Sequence, residues 1–548
     1  MSKNSQAPWN GQLPHLRAEF DAEALQQYLN NLGCTIPAEL FAQVDSKFYR
    51  EKYLQDLPKI DDPALYFFQV GWTLGHQPNQ WFDTDFYLHE YGDVREAEVN
   101  PFEHFLLDGY REKRLYSEGS NSSLLRRLKV RSEIDPLNNS LRITNQPPIA
   151  SLDQIYREIS QRLTTETVST VVAFGHDNYL RQIGGIQLVA GIEQQKFAEL
   201  NTNYIYIFPS HPRLTLAPEQ PTPTFQAIVN GQIIPLRFPL SGLLQKLEPI
   251  EAVIIHSIFG HEPILLSQEI AARDINHFIW WIHDYSIHCE NHLLAHNNLR
   301  SCNDPPIDSQ MCRVCIHGLR RHDHVTRTQV LLQAAPWQFI APSETAQLKS
   351  VSGSTKLSAI PKVVAHGELL FDGQRNPSEL QNRKLRIAFV GQPVQHKGWK
   401  VFQQFVEFSN MRKLEVDFFH FGSIDSKNRS VVFVDLSQTS KNIGLTTSLL
   451  RQNQIDAVFI WSIHQETFNL VTYESIAAGC IVITSKESGN IQAAAQKCGS
   501  ALIYGDESEL FGDDHVLSKI TQMASRGMPT GKFVFTGTTT AFLQGQTA

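Results

Sequence analysis

The spacing of hydrophobic positions changes character along the chain. Between residues 41 and 120 apolar and aromatic side chains recur at helical spacing, and they do so in duplicate. Asp45-Ser46-Lys47-Phe48-Tyr49 returns 38 positions later as Asp83-Thr84-Asp85-Phe86-Tyr87. In the same register Tyr53 matches Tyr91, Pro63 matches Pro101, Phe67 matches Phe105 and Gly71 matches Gly109. Each copy predicts two short amphipathic helices, with Asp as N-cap of the first and Pro near the start of the second. Phe48, Tyr49 and Tyr53 then share one face, which predicts core packing between helix pairs. A carbohydrate-stacking or partner surface is the alternative use of the same rings.

Residues 121–164 read as a linker, in which the stretch from about Asn121 to Ser151 is rich in Asn, Ser and Pro and ends in Asn145-Gln146-Pro147-Pro148. Within it Arg126, Arg127, Lys129 and Arg131 stand beside Leu124, Leu125, Leu128 and Val130. That patch reads as a solvated helix face, with contact to an anionic bilayer as the alternative.

Beyond Thr165 short β-branched runs alternate with helical stretches. Val168–Phe174, Tyr204–Phe208, Ala252–His256, His277–His283 and Gln338–Ala341 come first. After a break near 365–383 the pattern resumes with Leu385–Val390, Val416–Phe421, Ala457–Trp461 and Cys480–Thr484. Such alternation predicts parallel sheets covered by helices, and there are too many strands for one sheet. The expected architecture is α/β, with two facing doubly wound Rossmann-like domains preceded by a small all-α repeat module. The boundaries are a leader at 1–40, helical repeats at 41–120, a linker at 121–164, a first α/β domain at 165–364 and a second at 365–548. Ligands of such sheets sit beyond the carboxyl ends of the strands, so the residues just after each strand matter most.

Composition narrows the functions. A net charge of -8 speaks against a nucleic-acid partner. No run of 18 apolar residues predicts a membrane-spanning helix, and the polar N-terminus does not resemble a signal peptide. Seven cysteines in 548 residues fit a reducing compartment. The expected location is the cytoplasm, with any membrane contact peripheral and at the inner face.

The strongest chemical signal is Glu466-Thr467-Phe468-Asn469-Leu470-Val471-Thr472-Tyr473-Glu474, continuing to Gly479. A helix from near Phe468 to Ala478 would end at Gly479 and place the two acids roughly on one side, two turns apart. Unpaired N–H groups of its first turn, at Phe468, Asn469 and Leu470, would suit a diphosphate. Glu466 could hold sugar hydroxyls and Glu474 ribose hydroxyls; two solvated surface acids are the plainer alternative. Gly391 follows strand Leu385–Val390, and Lys397 stands at the turn that opens the next helix. A lysine there can neutralise a departing pyrophosphate. Gly184 and Gly185 precede another helical run, where missing side chains let a phosphate approach, or simply allow a turn. His283, in His283-Asp284, ends an apolar strand and could bond a sugar hydroxyl or serve the core. His256 receives the same reading.

These motifs resemble the E-x7-E glycosyltransferases of the GT-B fold, family-4-like, with Glu466 and Glu474 as the two acids. The resemblance implies a retaining hexosyl- or deoxyhexosyltransferase acting from a nucleoside-diphosphate sugar on a glycan or lipid-linked glycan. It implies that Glu466 and His283 face the donor sugar, that Glu474 binds ribose, and that no cofactor is needed for catalysis. The departing phosphate would help deprotonate the acceptor on the same face. The second α/β domain would take the donor and the first the acceptor. Gln392 departs from the pattern, which carries Arg there. The helical repeats resemble modules of bacterial rhamnan-type polysaccharide synthesis, through Phe82-Asp83, Phe86-Tyr87, Tyr91-Gly92-Asp93-Val94 and Asn100-Pro101-Phe102-Glu103-His104-Phe105-Leu106.

Cys289, Cys302, Cys312 and Cys315 fall within 27 residues, the last two as Cys-x2-Cys. They fit a structural zinc site and equally fit reduced, unligated thiols; His288, His292 and His317 could substitute as ligands. Beside a pure carbohydrate-binding role for the repeats alone, two rival functions remain open. One is a GT-B-fold glycan-binding or scaffold protein without turnover, which Gln392 favours. The other is a nicotinamide-dependent epimerase, which the missing G-x-G-x-x-G disfavours.

Overall fold

The computed structural model describes residues 22–544, except 32–35, 56–59, 98, 110–113, 115, 118–146, 165–168, 182–183, 211–213, 218–221, 272, 297–299, 314, 316, 378–382, 425–427 and 437–441. The chain divides into two compact units. One comprises Met1–Gln146, His296–Asn298 and Pro305–His322; the other comprises Pro147–Ala295, Leu299–Asp304 and Asp323–Ala548. The basic patch at Arg126, Arg127, Lys129 and Arg131 lies outside the described residues.

In the first unit the duplicated pattern becomes duplicated structure. Helices Ser46–Tyr53 and Thr84–Glu90 are capped by Asp45 and Asp83, which accept from the amides of Phe48 and Phe86. Helices Pro63–Gln69 and Pro101–His104 begin with proline after the caps Asp62 and Asn100. Tyr49 and Tyr87, equivalent by the repeat, are fully buried among Phe67, Phe82, Phe102 and Phe105. Their hydroxyls lie where a Cβ on Gly71 and Gly109 would be, which explains why both copies keep glycine there. The module begins earlier than residue 41. Helices Ala22–Asn31 and Ala38–Phe41 fall in the expected leader, and Leu29 and Leu40 join the same core.

The second unit contains the two α/β lobes. The strands of the first sheet lie in the order Lys362–Val363, Gln338–Ala341, His277–Trp281, Ala252–Ile255, Ser169–Phe174, Thr202–Pro209, Thr224–Val229 and Gln232–Ile233. The first six run parallel and Thr224–Val229 is antiparallel. Alternate residues of Ser169–Phe174 enter different cores, Val172 and Phe174 one, Val171 and Ala173 the other. Both faces of the sheet are thus buried, which is why its strands read as continuous apolar runs.

The second sheet is wholly parallel: Val431–Asp435, Val416–Gly422, Leu385–Val390, Ala457–Phe459, Ile481–Ser485 and Ala501–Tyr504. Its order reverses between Leu385–Val390 and Ala457–Phe459, and the crevice beyond such a switch point is where a ligand has room.

Three segments of the second unit also depart from expectation. Helix Leu152–Ser160 lies inside the expected linker yet buries Ile155 and Ile159 in the first α/β core. The break near 365–383 contains a strand, Gly367–Gln374, paired antiparallel with Pro529–Phe535. Helix Thr539–Leu543, expected in the second domain, returns to the first sheet, with Phe542 and Leu543 packed on the core that holds Val171. Among the described residues no helix is long and apolar enough to cross a membrane.

Candidate functional site

A cleft of about 520 Å³ opens at the carboxyl ends of both sheets, within the size range of sites for small organic ligands. Its wall brings together Gly184, Gly185 and His283 of the first lobe with Gly391, Lys397, Glu466, Phe468, Asn469, Leu470 and Glu474 of the second.

The lysine loop is shaped by glycine. Strand Leu385–Val390 ends at Gly391, whose φ is 120°, and the chain makes a short 3-10 turn, Gln395–Lys397, before helix Trp399–Met411. Gly398 joins turn and helix with φ 82°, and a Cβ there would run into the carbonyl oxygen of Trp461. Both the left-handed backbone and the tight approach require glycine. Lys397 is thereby directed into the cleft, where its Nζ lies 2.6 Å from Oε1 of Glu466.

Glu466 is held by its own neighbours. Its backbone pairs with Gly489, and its carbonyl accepts from Asn490 N at 2.9 Å. Burial alone would raise the carboxyl, but Lys397, followed by His464 at 3.8 Å, brings it down to about 2. Helix Leu470–Ala477 starts one or two residues later than expected. Asn469 takes the cap at φ 62°, a conformation asparagine tolerates, and its side chain accepts from Thr472 N. Leu470 and Val471 then supply the first-turn amides for an anion. Glu474 is buried one turn further along, and Gly479 ends the helix at φ 78°.

Across the cleft, Gly184 precedes helix Gly185–Glu199, and a Cβ on Gly185 would meet nothing within 4 Å. His283 lies just beyond strand His277–Trp281, with its ring stacked on Trp281 and His366. Burial, then His366, His256 and His176, push its pKa well below the ordinary histidine value. Burial likewise lowers His366 to about 3, His464 to about 4 and His396 to about 2. These rings are neutral hydrogen-bonding groups at neutral pH, not cations. Nδ1 of His176, Nδ1 of His366 and the hydroxyl of Tyr285 are buried on this wall without a partner among the described residues. Such groups call for a polar ligand or water.

Pattern reading missed His396, His464, His176, His366 and Thr467. The histidines carry no spacing signal, and Thr467 stood inside the motif without an assigned contact. The charge balance was also hidden. Gln392 is exposed at the cleft, and Lys397 is the sole Lys or Arg among the described residues of its wall. Of the cysteines, Cys289 and Cys302 belong to the second unit, and Cys312 and Cys315 to the first. Among the described residues no group of three or more His, Cys, Asp or Glu gathers as metal ligands. The zinc expectation therefore stands on sequence spacing alone.

A fold of two doubly wound lobes with a cleft at their facing strand ends defines the class of this protein. No family model matches the chain, and no curated protein matches it in sequence. Several solved structures resemble it. Anabaena Alr3699/HepE in complex with UDP-glucose is 13% identical, covering 65% of this chain and 92% of that one, with a TM-score of 0.38. Sucrose-phosphate synthase from Thermosynechococcus elongatus is 13% identical over 65% and 91%, with a TM-score of 0.40. WaaG, a glycosyltransferase involved in lipopolysaccharide biosynthesis, is 11% identical over 65% and 93%, with a TM-score of 0.39. Likeness at this level leaves the chemistry to be argued from the site itself.

Proposed function

We propose that this chain is a retaining glycosyltransferase. It would move a hexosyl or deoxyhexosyl group from a nucleoside-diphosphate sugar to a glycan or lipid-linked glycan in cell-surface polysaccharide synthesis. The observation that carries this reading is the convergence of Lys397 and Glu466, 69 residues apart, at 2.6 Å beside the start of helix Leu470–Ala477. A cation next to two helix-start amides suits a diphosphate. A carboxylate held near pKa 2 stays ionised as an acceptor for sugar hydroxyls. In this reading Lys397, Leu470 and the backbone at Gly391, Phe468 and Asn469 hold the diphosphate. Glu474 takes ribose hydroxyls, while Glu466 and His283 take the sugar. The acceptor passes Gly184 and Gly185, and the departing phosphate receives the acceptor's proton. Work at the inner face of the cytoplasmic membrane belongs to the same proposal. So does a structural zinc at Cys289, Cys302, Cys312 and Cys315, which metal analysis of the purified protein would test.

A second reading is a glycan-binding or scaffold protein without turnover. It is favoured by Gln392, which leaves Lys397 the sole Lys or Arg among the described residues of the cleft wall. Thermal unfolding against a panel of nucleoside diphosphates and their sugars, followed by nucleotide-release assays on the binders, separates the two. Binding only the ligand-competent fold, a true donor raises the midpoint in proportion to ln(1 + [L]/Kd). Release should vanish in Glu466→Ala and Lys397→Ala. Full release in both variants would reject the site, and a panel that shifts nothing would reject the donor class.

A further inference from the structure

A chain of buried groups ends on the cleft wall at His283. It begins with Glu193, on helix Gly185–Glu199, which has no exposed surface. Glu193 Oε1 lies 2.9 Å from His256 Nε2 and accepts from the Tyr204 hydroxyl at 3.1 Å. Its Oε2 accepts from the Thr539 amide at 3.2 Å and from the Thr539 hydroxyl. His256 Nδ1 in turn lies 3.0 Å from His283 Nε2. Of Glu193, His256 and His283, only His283 lines the cleft.

The order of protons along this chain follows from what each atom can do. Burial would raise the Glu193 carboxyl, but His256 and then Thr539 hold it below the usual range. An ionised carboxylate only accepts, so the proton between Glu193 and His256 belongs to His256 Nε2. A neutral imidazole has one donor and one acceptor nitrogen. With His256 as the neutral imidazole, its Nδ1 accepts from His283 Nε2–H, and Nδ1 of His283 carries no hydrogen.

We propose that Glu193 and His256 are positioning residues that lock His283 in its Nε2–H tautomer, so that its Nδ1 offers the cleft an acceptor for a sugar hydroxyl. The acceptor role rests on the glycosyl-transfer reading, whereas the proton order does not. Thr539 belongs to the helix that returns to the first lobe, so the C-terminal segment helps orient the site.

Proton positions in the full-length protein decide the matter without any ligand. Neutron diffraction, or long-range 1H–15N correlation after 15N-histidine labelling, should place hydrogen on His283 Nε2 and none on Nδ1. Glu193→Gln should reverse this. The Thr539 amide can only donate, so the glutamine oxygen turns to it and the NH2 group faces His256 Nε2. Both rings then switch, and His283 carries hydrogen on Nδ1. Thr539→Val keeps that amide and should leave the tautomer unchanged. Hydrogen on His283 Nδ1 in the wild type overturns the proposal, and so does an unchanged tautomer in Glu193→Gln. If Glu193→Gln fails to fold, the wild-type proton position still decides. UDP-glucose should bind Glu193→Gln about tenfold more weakly, as expected for one lost hydrogen bond. UDP alone should bind as before, and an equal loss of both would overturn the acceptor role. A wild type with the stated tautomer that binds neither nucleotide counts against the proposed donor, not the relay.

Discussion

The hydroxyl of Thr467 donates to the backbone carbonyl of His283 across 2.6 Å, and the carbonyl of Thr467 accepts from Ser343 at 2.6 Å. One residue of the second lobe is thus fastened to two strand-end positions of the first, immediately beside Glu466. Thr467→Val keeps the shape and removes the donor. It should lower unfolding stability by about 0.5–1.5 kcal/mol and speed amide exchange in residues 462–468. An unchanged urea midpoint with unchanged exchange would show that the latch contributes nothing.

Two glycines in the lysine loop separate strain from collision. Gly391 and Gly398 both have positive φ, but a Cβ on Gly391 would meet nothing within 4 Å, whereas one on Gly398 strikes Trp461. Alanine at 391 should cost about 1–3 kcal/mol through backbone strain. Alanine at 398 should cost more and displace Lys397. Thermal unfolding of the two variants in parallel checks the order; equal midpoints would refute the role given to Trp461.

The depressed histidines set the direction of acid instability. His176, His366, His396 and His464 have folded pKa values of about 4, 3, 2 and 4, against 6.5 for an ordinary histidine. Such a ring stabilises the fold fully above pH 6.5, and that contribution is lost progressively as pH falls towards the folded values. Glu466, lowered to about 2 from 4.5, acts with the same sign over a more acid window. The melting temperature should therefore fall between pH 6.5 and 4, and His464→Asn should flatten the slope. A melting temperature that rises on acidification through this range would contradict the burial of these rings.

Charge at the cleft predicts a gain of function. The wall carries Lys397 against Asp284, Glu466 and Glu474, with Gln392 exposed at its edge. Gln392→Arg adds a planar donor fork suited to phosphate. It should tighten nucleoside-diphosphate binding about tenfold, as one charge-assisted hydrogen bond allows, and make that binding more salt-sensitive. Calorimetry at low and moderate salt reads both effects; unchanged affinity would place the diphosphate away from residue 392.

Much of the cleft was legible because its parts are local. A strand, a glycine at positive φ and a helix start are each specified by a few consecutive residues. Gly391 through Gly398 and Glu466 through Gly479 could therefore be placed before their partners were known. The repeat module was legible for the same reason, down to the Asp45 and Asp83 caps. The ribbon of Gly367–Gln374 with Pro529–Phe535 was not, since neither strand shows its partner in its own pattern. Helix Leu152–Ser160 was obscured by the polar composition of the segment before it.

Hydrophobic period and glycine placement in this chain by themselves determined two largely parallel sheets (though not the antiparallel edge at Thr224–Val229), an all-α repeat and the loops that meet at the strand ends. Only tertiary structure decided which charges and rings face one another there. Glu193 meets Thr539 across 346 positions and Lys397 meets Glu466 across 69. Local preferences extend over a few residues, whereas such pairings exist only once each lobe has packed its own core.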